Sequence, residues 1–204
     1  MIVEEKLIIL KAHKYGESDL ILHALGTRGH RVGLIAKGAR KSRKRFPGGL
    51  LEPTHVILGT YKVKNTELMN DQLSLLQEAT LVKDFPGLRL DYDRLGLALE
   101  LVKTVDLVAP AGAQDNQGLF NLLGHSLIQC ETSDQLAYLR LHFEMKLLYQ
   151  QGVMPPHQKL QKLAQIKIAD HRDVCQDFDE LQSLQSIVSH HLDHYLGQIE
   201  KADS

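Results

Sequence analysis

The sequence of 204 residues has no tryptophan, two cysteines and only 5% aromatic residues. A packed core must therefore be built mainly from aliphatic side chains. Cys130 and Cys175 are too few and too far apart for a disulfide scaffold or a CxxC zinc site. No apolar run reaches the ~18–20 residues of a membrane span, and no signal-peptide pattern opens the chain. We therefore expect a cytoplasmic protein.

The sequence also lacks the motifs on which common enzyme chemistry depends. It has neither a GxxxxGK[ST] phosphate loop nor a GxSxG nucleophile turn. Glu17 and Asp19 are spaced as a carboxylate pair, but turn hydrogen bonds explain them equally well. His190 and His194 would share a helix face, yet a structural zinc site needs two further ligands, which favours an exposed polar face. We expect no enzyme activity, metal, cofactor or nucleotide.

The near-neutral total charge hides two regions of opposite sign. Residues 1–80 hold thirteen Lys and Arg against eight Asp and Glu, a balance of +5, whereas residues 81–204 have a balance of −6. Such asymmetry indicates a polyanionic partner for the first region.

Short apolar segments separated by turn residues predict five strands in the first region. They lie near residues 7–10, 20–25, 31–36, 55–63 and 67–76, with turns at Gly29 and at Lys64-Asn65. Five short strands with hairpin-scale turns favour a small closed Greek-key barrel, because closure removes exposed sheet edges.

The hydrophobic period becomes helical after Asp84. We expect helices near residues 92–108 and 118–130, a third that begins at Thr132, and further helical stretches at 158–168 and 178–199. Thr132 and Gln135 have the spacing of a capping box, and Gly152 ends the third helix. The predicted fold class is therefore α+β, with a barrel domain over residues 1–80 and an all-helical domain over residues 81–204.

The most informative feature is a run of basic residues after the third strand. Six of the nine residues from Lys37 to Arg45 are Lys or Arg, and no acidic residue lies between Asp19 and Glu52. Cations on a mobile loop can follow phosphates and release counterions, so this run predicts nucleic-acid contact more than mere solubility. The candidate contact residues are Arg28, Arg31, Lys37, Arg40, Lys41, Arg43, Lys44 and Arg45.

Few aromatic residues accompany this charge. The candidates for stacking on bases are Tyr15, Phe46 and Tyr61. Weak stacking predicts binding that is dominated by the phosphate backbone and indifferent to base sequence.

Two groups of motifs resemble one family. They are Tyr15-Gly16-Glu17-Ser18-Asp19, Thr27-x-Gly29 and Ala36-Lys37-Gly38-Ala39-Arg40 in the first region, and Phe143-Glu144-Met145-Lys146-Leu147-Leu148 with Gly152-Val153-Met154-Pro155 in the second. In this order and spacing they resemble the bacterial recombination mediator family RecO, over residues 4 to about 156.

The resemblance implies an OB-fold domain followed by a helical domain. It also implies a nucleoid-associated protein that binds single- and double-stranded DNA, anneals complementary strands, and works with RecR and the single-strand-binding protein SSB to assist RecA loading. Many members carry a four-cysteine zinc site after the G-x-x-P segment. This chain has no cysteine there, so no zinc is carried over.

The resemblance further implies that the helical domain takes the acidic, apolar tail of SSB. Such a tail needs an apolar groove with a cation at its rim. The candidate residues are Lys103, Leu136, Leu139, Arg140 and Phe143. The alternative for Arg140 is an ion pair with Glu144, one helical turn away.

Two other functions are compatible with the same sequence. An RNA-binding OB module of translation or RNA processing would use the same basic loop, and relative affinity for DNA and RNA separates the two. A protein scaffold would carry the loop only for solubility, and its interaction with DNA would be absent or independent of salt.

Overall fold

A computed structural model describes residues 1–63, 73–110, 116–174 and 177–202. The strands are β1 (Ile2–Tyr15), β2 (Asp19–Gly26), β3 (Arg31–Ala36), β4 (Val56–Lys62) and β5 (Ser74–Lys83). The helices are α1 (Tyr92–Val108), α2 (Gln117–Thr132), α3 (Leu136–Gln150), α4 (Gln158–Leu163) and α5 (Phe178–Ala202), with 3₁₀ turns at Pro86–Leu90 and Ile168–Asp173.

The five strands form a closed barrel in the order β1-β2-β3-β5-β4. The long strand β1 makes closure possible, because its first half pairs with β4 and its second half pairs with β2. Strands β3 and β5 meet in parallel at Leu34↔Ser74 and Ile35↔Leu75, whereas the other pairs are antiparallel. A five-stranded Greek-key barrel followed by helices is an OB-type fold, and the predicted fold class is confirmed.

The barrel core is mainly aliphatic, as the scarcity of aromatic residues predicted. Its buried members are Leu7, Ile9, Leu22, Ala24, Val32, Leu34, Ala36, Ala39, Phe46, Leu50, Leu51, Ile57, Tyr61, Leu76 and Ala79. Burial of one large aliphatic side chain stabilises the fold by ~1.5–3 kcal/mol, so this cluster holds the barrel together.

Two strands are longer than the apolar segments that predicted them. Strand β1 begins at Ile2 and ends at Tyr15, where the turn residues begin, and it has a register shift between Ile9 and Lys11. Strand β5 continues to Lys83 rather than ending at Leu76. Its second half is mostly exposed, with Leu81 and Val82 both near half exposure, so the burial pattern gives no clean alternation there. The predicted turn at Lys64-Asn65 lies outside the described residues.

The chain divides into two compact units. The barrel unit comprises Met1–Phe85 and Val102–Phe120, and the helical unit comprises Pro86–Leu101 and Asn121–Ser204. Each unit contains two separate stretches of chain, so a single cut in the sequence does not divide them. The domain boundary between residues 80 and 81 therefore stays a prediction.

The start of α3 differs from the predicted capping box. Gln135 occupies the N-cap without a side-chain cap bond, and the Thr132 hydroxyl donates to the Ile128 carbonyl inside α2. The Ser133 hydroxyl instead accepts a hydrogen bond from the Gln135 N–H at 3.0 Å. Ser133 is buried against His171 of the following 3₁₀ turn, a contact that the local spacing could not reveal.

Other features of the helical region match the expectations. Gly152 has φ +71° and follows the end of α3, and the Cys130 side chain is buried. His190 and His194 are exposed on α5. The predicted helix at 158–168 is shorter, because α4 ends at Leu163. Cys175 lies outside the described residues.

Within the described ranges, no helix is both long enough and apolar enough to cross a bilayer.

We expect Gly29→Ala to destabilise the barrel unit far more than Gly16→Ala. Both glycines have positive φ, at +74° and +56°. A Cβ on Gly29 would lie 1.9 Å from the Asn116 carbonyl oxygen, whereas a Cβ on Gly16 meets nothing within 4 Å. Gly16→Ala should lower the free energy of unfolding by about 1 kcal/mol through backbone strain, and Gly29→Ala by about 2–4 kcal/mol. Urea unfolding measures both. Equal losses would show that the Gly29 contact does not constrain the fold.

Candidate nucleic-acid interface

The basic segment, residues 37–45, follows directly after β3. All six of its Lys and Arg side chains are exposed, so the structure presents the whole predicted charge cluster to solvent. These residues are Lys37, Arg40, Lys41, Arg43, Lys44 and Arg45.

Several contacts join the basic segment to the barrel, and the mobility expected of it without nucleic acid stays a prediction. Phe46, the residue after the segment, is 2% exposed and belongs to the barrel core with Ala39. The Arg45 guanidinium lies 5.4 Å from the centre of the Phe46 ring and donates to the Lys37 carbonyl at 3.1 Å. The buried ring therefore attaches the chain to the barrel core directly after the basic segment, whose cations stay exposed.

The turn between β1 and β2 holds the other end. The Arg40 N–H donates to the Ser18 carbonyl at 2.9 Å, and the Arg40 guanidinium donates to the Glu17 carbonyl at 2.9 Å. Gly38 lies between these contacts and β3, with φ +68°. Glycine adopts this left-handed conformation at little cost, which allows the chain to reverse there.

The basic segment and the end of β1 enclose an open cleft of about 1060 Å³. Four of its lining residues are cations and one, Glu52, is acidic among those that the structure describes. The lining residues are Ala12, His13, Lys14, Leu20, Ala39, Arg40, Lys41, Ser42, Arg43, Phe46, Pro47, Gly48, Gly49, Leu51, Glu52 and Pro53. A cationic groove of this kind suits a nucleic-acid backbone.

Sequence reasoning missed His13 and Lys14 as members of this cleft. Both side chains are exposed near the end of β1. They lie between the apolar residues of the first strand and the turn at Tyr15, and the sequence gives no reason to connect them to the basic segment. The continuation of the strand into the Tyr15 motif was the signal that could have placed them.

The structure does not bring Arg28 and Arg31 to the cleft. Arg31 begins β3 and the basic segment follows its end, so β3 separates them by about 17 Å at ~3.3 Å per residue. The Arg31 guanidinium donates to the Asp106 carbonyl at 3.0 Å. These two arginines lie at the opposite end of β3 from the cleft, and their contact with nucleic acid stays a prediction.

Two of the three stacking candidates face the protein interior. Phe46 and Tyr61 are 2% and 4% exposed, and the Tyr61 hydroxyl donates to Glu5 at 2.9 Å. Burial of the hydroxyl is the main effect that raises the pKa of Tyr61 above its ordinary value. Neither ring can stack on a base without opening the core. Tyr15, which is 56% exposed, remains as a platform.

A second, smaller cleft lies within the helical unit. Its volume is about 510 Å³, and it includes two of the residues proposed for a partner peptide, Leu136 and Arg140. The lining residues are Tyr92, Asp93, Gly96, Leu97, Glu100, Leu136, Ala137, Arg140 and Gln185.

The other residues proposed for that peptide lie elsewhere. Leu139 and Phe143 are completely buried beneath α3, so they cannot line an open groove. The helical period placed them correctly on an apolar face, but that face packs inward. Lys103 is exposed on α1 and belongs to the barrel unit.

Arg140 forms an ion pair with Glu100 rather than with Glu144. Glu144 is buried and accepts hydrogen bonds from Gln185 at 2.9 Å and from Ser189 at 3.3 Å. Burial raises the pKa of Glu144 to about 7. The alternative pairing of Arg140 with Glu144 is therefore wrong, because α1 supplies a closer carboxylate.

Comparison with known proteins finds a matching family model and several similar proteins. The family model described as Recombination protein O N terminal matches residues 1–85. The chain is 36% identical over 158 residues to DNA repair protein RecO of Maridesulfovibrio salexigens, which covers 76% of this chain and 61% of the relative. It is 34% identical over 149 residues to the protein of that name from Syntrophus aciditrophicus, with 72% and 54% coverage.

A third relative, DNA repair protein RecO of Geobacter metallireducens, is 36% identical over 142 residues, with 69% and 54% coverage. The chain thus spans between half and about three fifths of the length of these relatives. Matches of 142 to 158 residues are longer than the 85 residues that the family model covers, so they extend into the helical region. With its five-stranded barrel, its helices and these relatives, the chain belongs to the recombination protein O (RecO) family.

Proposed function

We propose that this chain is a non-enzymatic DNA-binding protein that mediates recombinational DNA repair. The observation that carries the proposal is the cleft between β1 and the basic segment, where Lys14, Arg40, Lys41 and Arg43 line one groove. The names of the relatives supply the repair context. Bacterial DNA lies in the nucleoid, which is where we expect the protein to act.

The groove favours contact with the phosphate backbone over contact with bases. Its cations replace condensed counterions on a nucleic-acid strand, and two of the three aromatic candidates are buried. Binding should therefore be indifferent to base sequence and weaken steeply with salt. Both single- and double-stranded DNA carry the charge that this groove requires.

Strand annealing follows from the same electrostatics. Two complementary strands repel each other through their phosphates, and a cationic surface that neutralises part of this charge lets them approach. Base pairing then supplies the free energy, so no nucleotide and no catalytic group are required. In the proposed pathway the protein acts with RecR and SSB and assists the loading of RecA.

Annealing of complementary oligonucleotides without nucleotide tests this function. We expect the protein to accelerate annealing of bare strands and of strands coated with SSB. An RNA-binding module would instead bind single-stranded RNA more tightly than DNA of the same sequence. Failure to bind DNA, or binding that does not change with salt, would contradict the proposal and favour a protein scaffold.

The proposed SSB contact leads to a separate prediction in the helical cleft. A peptide with the acidic, apolar tail chemistry of SSB must bring its carboxylate to Arg140, where Glu100 now lies. Arg140→Glu should therefore weaken tail-peptide binding at least about 10-fold, whereas Glu100→Gln should strengthen it by removing the competing charge. Fluorescence anisotropy of a labelled tail peptide measures both.

DNA affinity is the control for these two variants, since the basic segment lies in the barrel unit. It should stay at the wild-type value in both. Peptide binding that persists in Arg140→Glu would exclude Arg140 from the site.

A further inference from the structure

An acidic residue, Asp19, contacts the basic segment close to its first residue. Asp19 opens β2, and its Oδ1 accepts a hydrogen bond from the Gly38 N–H at 2.8 Å and from the Ser18 hydroxyl at 3.1 Å. No acidic residue follows in the sequence until Glu52. By charge alone, a carboxylate here opposes binding of DNA, so its presence calls for another role.

The position of Gly38 shows what that role can be. Gly38 comes immediately after Lys37, has φ +68°, and begins the turn that directs Arg40 and Lys41 into the cleft. The Asp19 carboxylate holds the amide of this reversing residue, and the neighbouring Ser18 and Glu17 carbonyls hold Arg40. The β1–β2 turn thus contacts the basic segment at two successive points.

We propose that Asp19 is a positioning residue for the cationic cleft. It does not contact the nucleic acid. Its carboxylate fixes the Gly38 amide, and through Gly38 it fixes the direction in which the following cations project. This inference rests on the proposed DNA-binding function.

The electrostatics of the site are consistent with this role. The hydrogen bond from the Gly38 N–H is the largest of the effects that lower the pKa of Asp19. The carboxyl group therefore remains ionised at neutral pH. An ionised carboxylate acts only as an acceptor and makes a stronger hydrogen bond with an N–H than a neutral oxygen does. The same contact joins the two sequence motifs, Glu17-Ser18-Asp19 and Lys37-Gly38-Ala39-Arg40, that carried the family resemblance.

A positioning role and simple charge repulsion predict opposite changes in DNA affinity for one substitution. Asp19→Ala removes a negative charge, which by electrostatics alone tightens DNA binding. It also releases the Gly38 amide, and the cations must then be ordered during binding. We expect the second effect to dominate, so that Asp19→Ala weakens binding of a single-stranded oligonucleotide about 3–10-fold and lowers its salt slope.

Asp19→Asn is the matched variant, because it removes the same charge but keeps an acceptor oxygen at nearly the same place. It should bind DNA at least as tightly as the wild type. Hydrogen exchange of the Gly38 amide without DNA gives an independent readout, which should be faster in Asp19→Ala than in Asp19→Asn. Circular dichroism and urea unfolding show whether each variant is folded.

The outcomes separate the inference from the function on which it rests. A wild type that binds DNA and an Asp19→Ala variant that binds more tightly would overturn the positioning role alone. Equal Gly38 exchange in the two variants would also overturn it. A wild type that fails to bind DNA would remove the proposed function and the inference with it.

Discussion

Neutralising four exposed cations of the basic segment is expected to weaken single-stranded DNA binding by at least about 100-fold at ~0.1 M salt. The variant is K37Q/K41Q/R43Q/K44Q. Each lost phosphate contact lowers the dependence of log affinity on log salt by about 0.7 on single strands and 0.9 on duplexes, so the slope should fall by roughly 3. Arg40 and Arg45 are left in place because their guanidinium groups also hold the turn.

A matched variant removes the same charge from other exposed lysines. It is K6Q/K162Q/K167Q/K201Q, whose four side chains are exposed and do not belong to the basic segment. This control should keep the salt slope within about one unit of the wild type. Fluorescence anisotropy over a salt series measures both. Equal losses in the two variants would show that only the total charge matters and that the basic segment is not the contact surface.

Phe46→Ala is expected to lower the free energy of unfolding of the barrel unit by about 3–5 kcal/mol. Phe46 is 2% exposed, packs in the barrel core, and supports the Arg45 guanidinium. The truncation creates a cavity and removes the buried ring that anchors the chain directly after the basic segment. Urea unfolding, followed by a probe in the barrel unit, measures the loss.

The same substitution at Phe178 provides the comparison. That side chain is 64% exposed at the start of α5, so Phe178→Ala should change the free energy of unfolding by less than about 0.5 kcal/mol. DNA binding adds a second readout, because only Phe46→Ala should also weaken it. A Phe46→Ala variant with wild-type stability would mean that the basic segment is not anchored through this ring.

The barrel was predictable because its sequence pattern is local. Strand alternation and turn residues such as Gly29 depend on neighbours in the chain, and they indicated five strands and their closure. The register was not predictable, because the shift between Ile9 and Lys11 and the parallel contact of β3 with β5 are set by partners far away in sequence.

The candidate site shows the same division. The six cations of the basic segment could be named from composition, since charge density needs no tertiary information. Their anchoring could not, because it depends on the contact between Gly38 and Asp19 and on the burial of Phe46. Phe46 reads as an exposed stacking residue in a polar loop, and only the folded barrel shows that its ring points inward.

Helical periodicity had a similar limit in the helical unit. It placed Leu139 and Phe143 together with Leu136 on one apolar face of α3, but a periodic face can be either a groove or a core. The structure buries the first two and leaves Leu136 in the cleft. The partner of Arg140 was likewise hidden, because Glu100 lies forty residues away in sequence.

Lysine footprinting of the full chain, with and without a single-stranded oligonucleotide, tests the central claim most directly. An acetylating reagent modifies exposed lysines, and mass spectrometry reports each site. If the cleft and the basic segment beside it hold the DNA backbone, the oligonucleotide should protect Lys14 and Lys41, which line the cleft, and Lys44 of the basic segment, with protection lost at high salt. Lys162 and Lys201 should react equally in both samples. Protection confined to the lysines of the helical unit, with Lys14, Lys41 and Lys44 unchanged, would contradict the account.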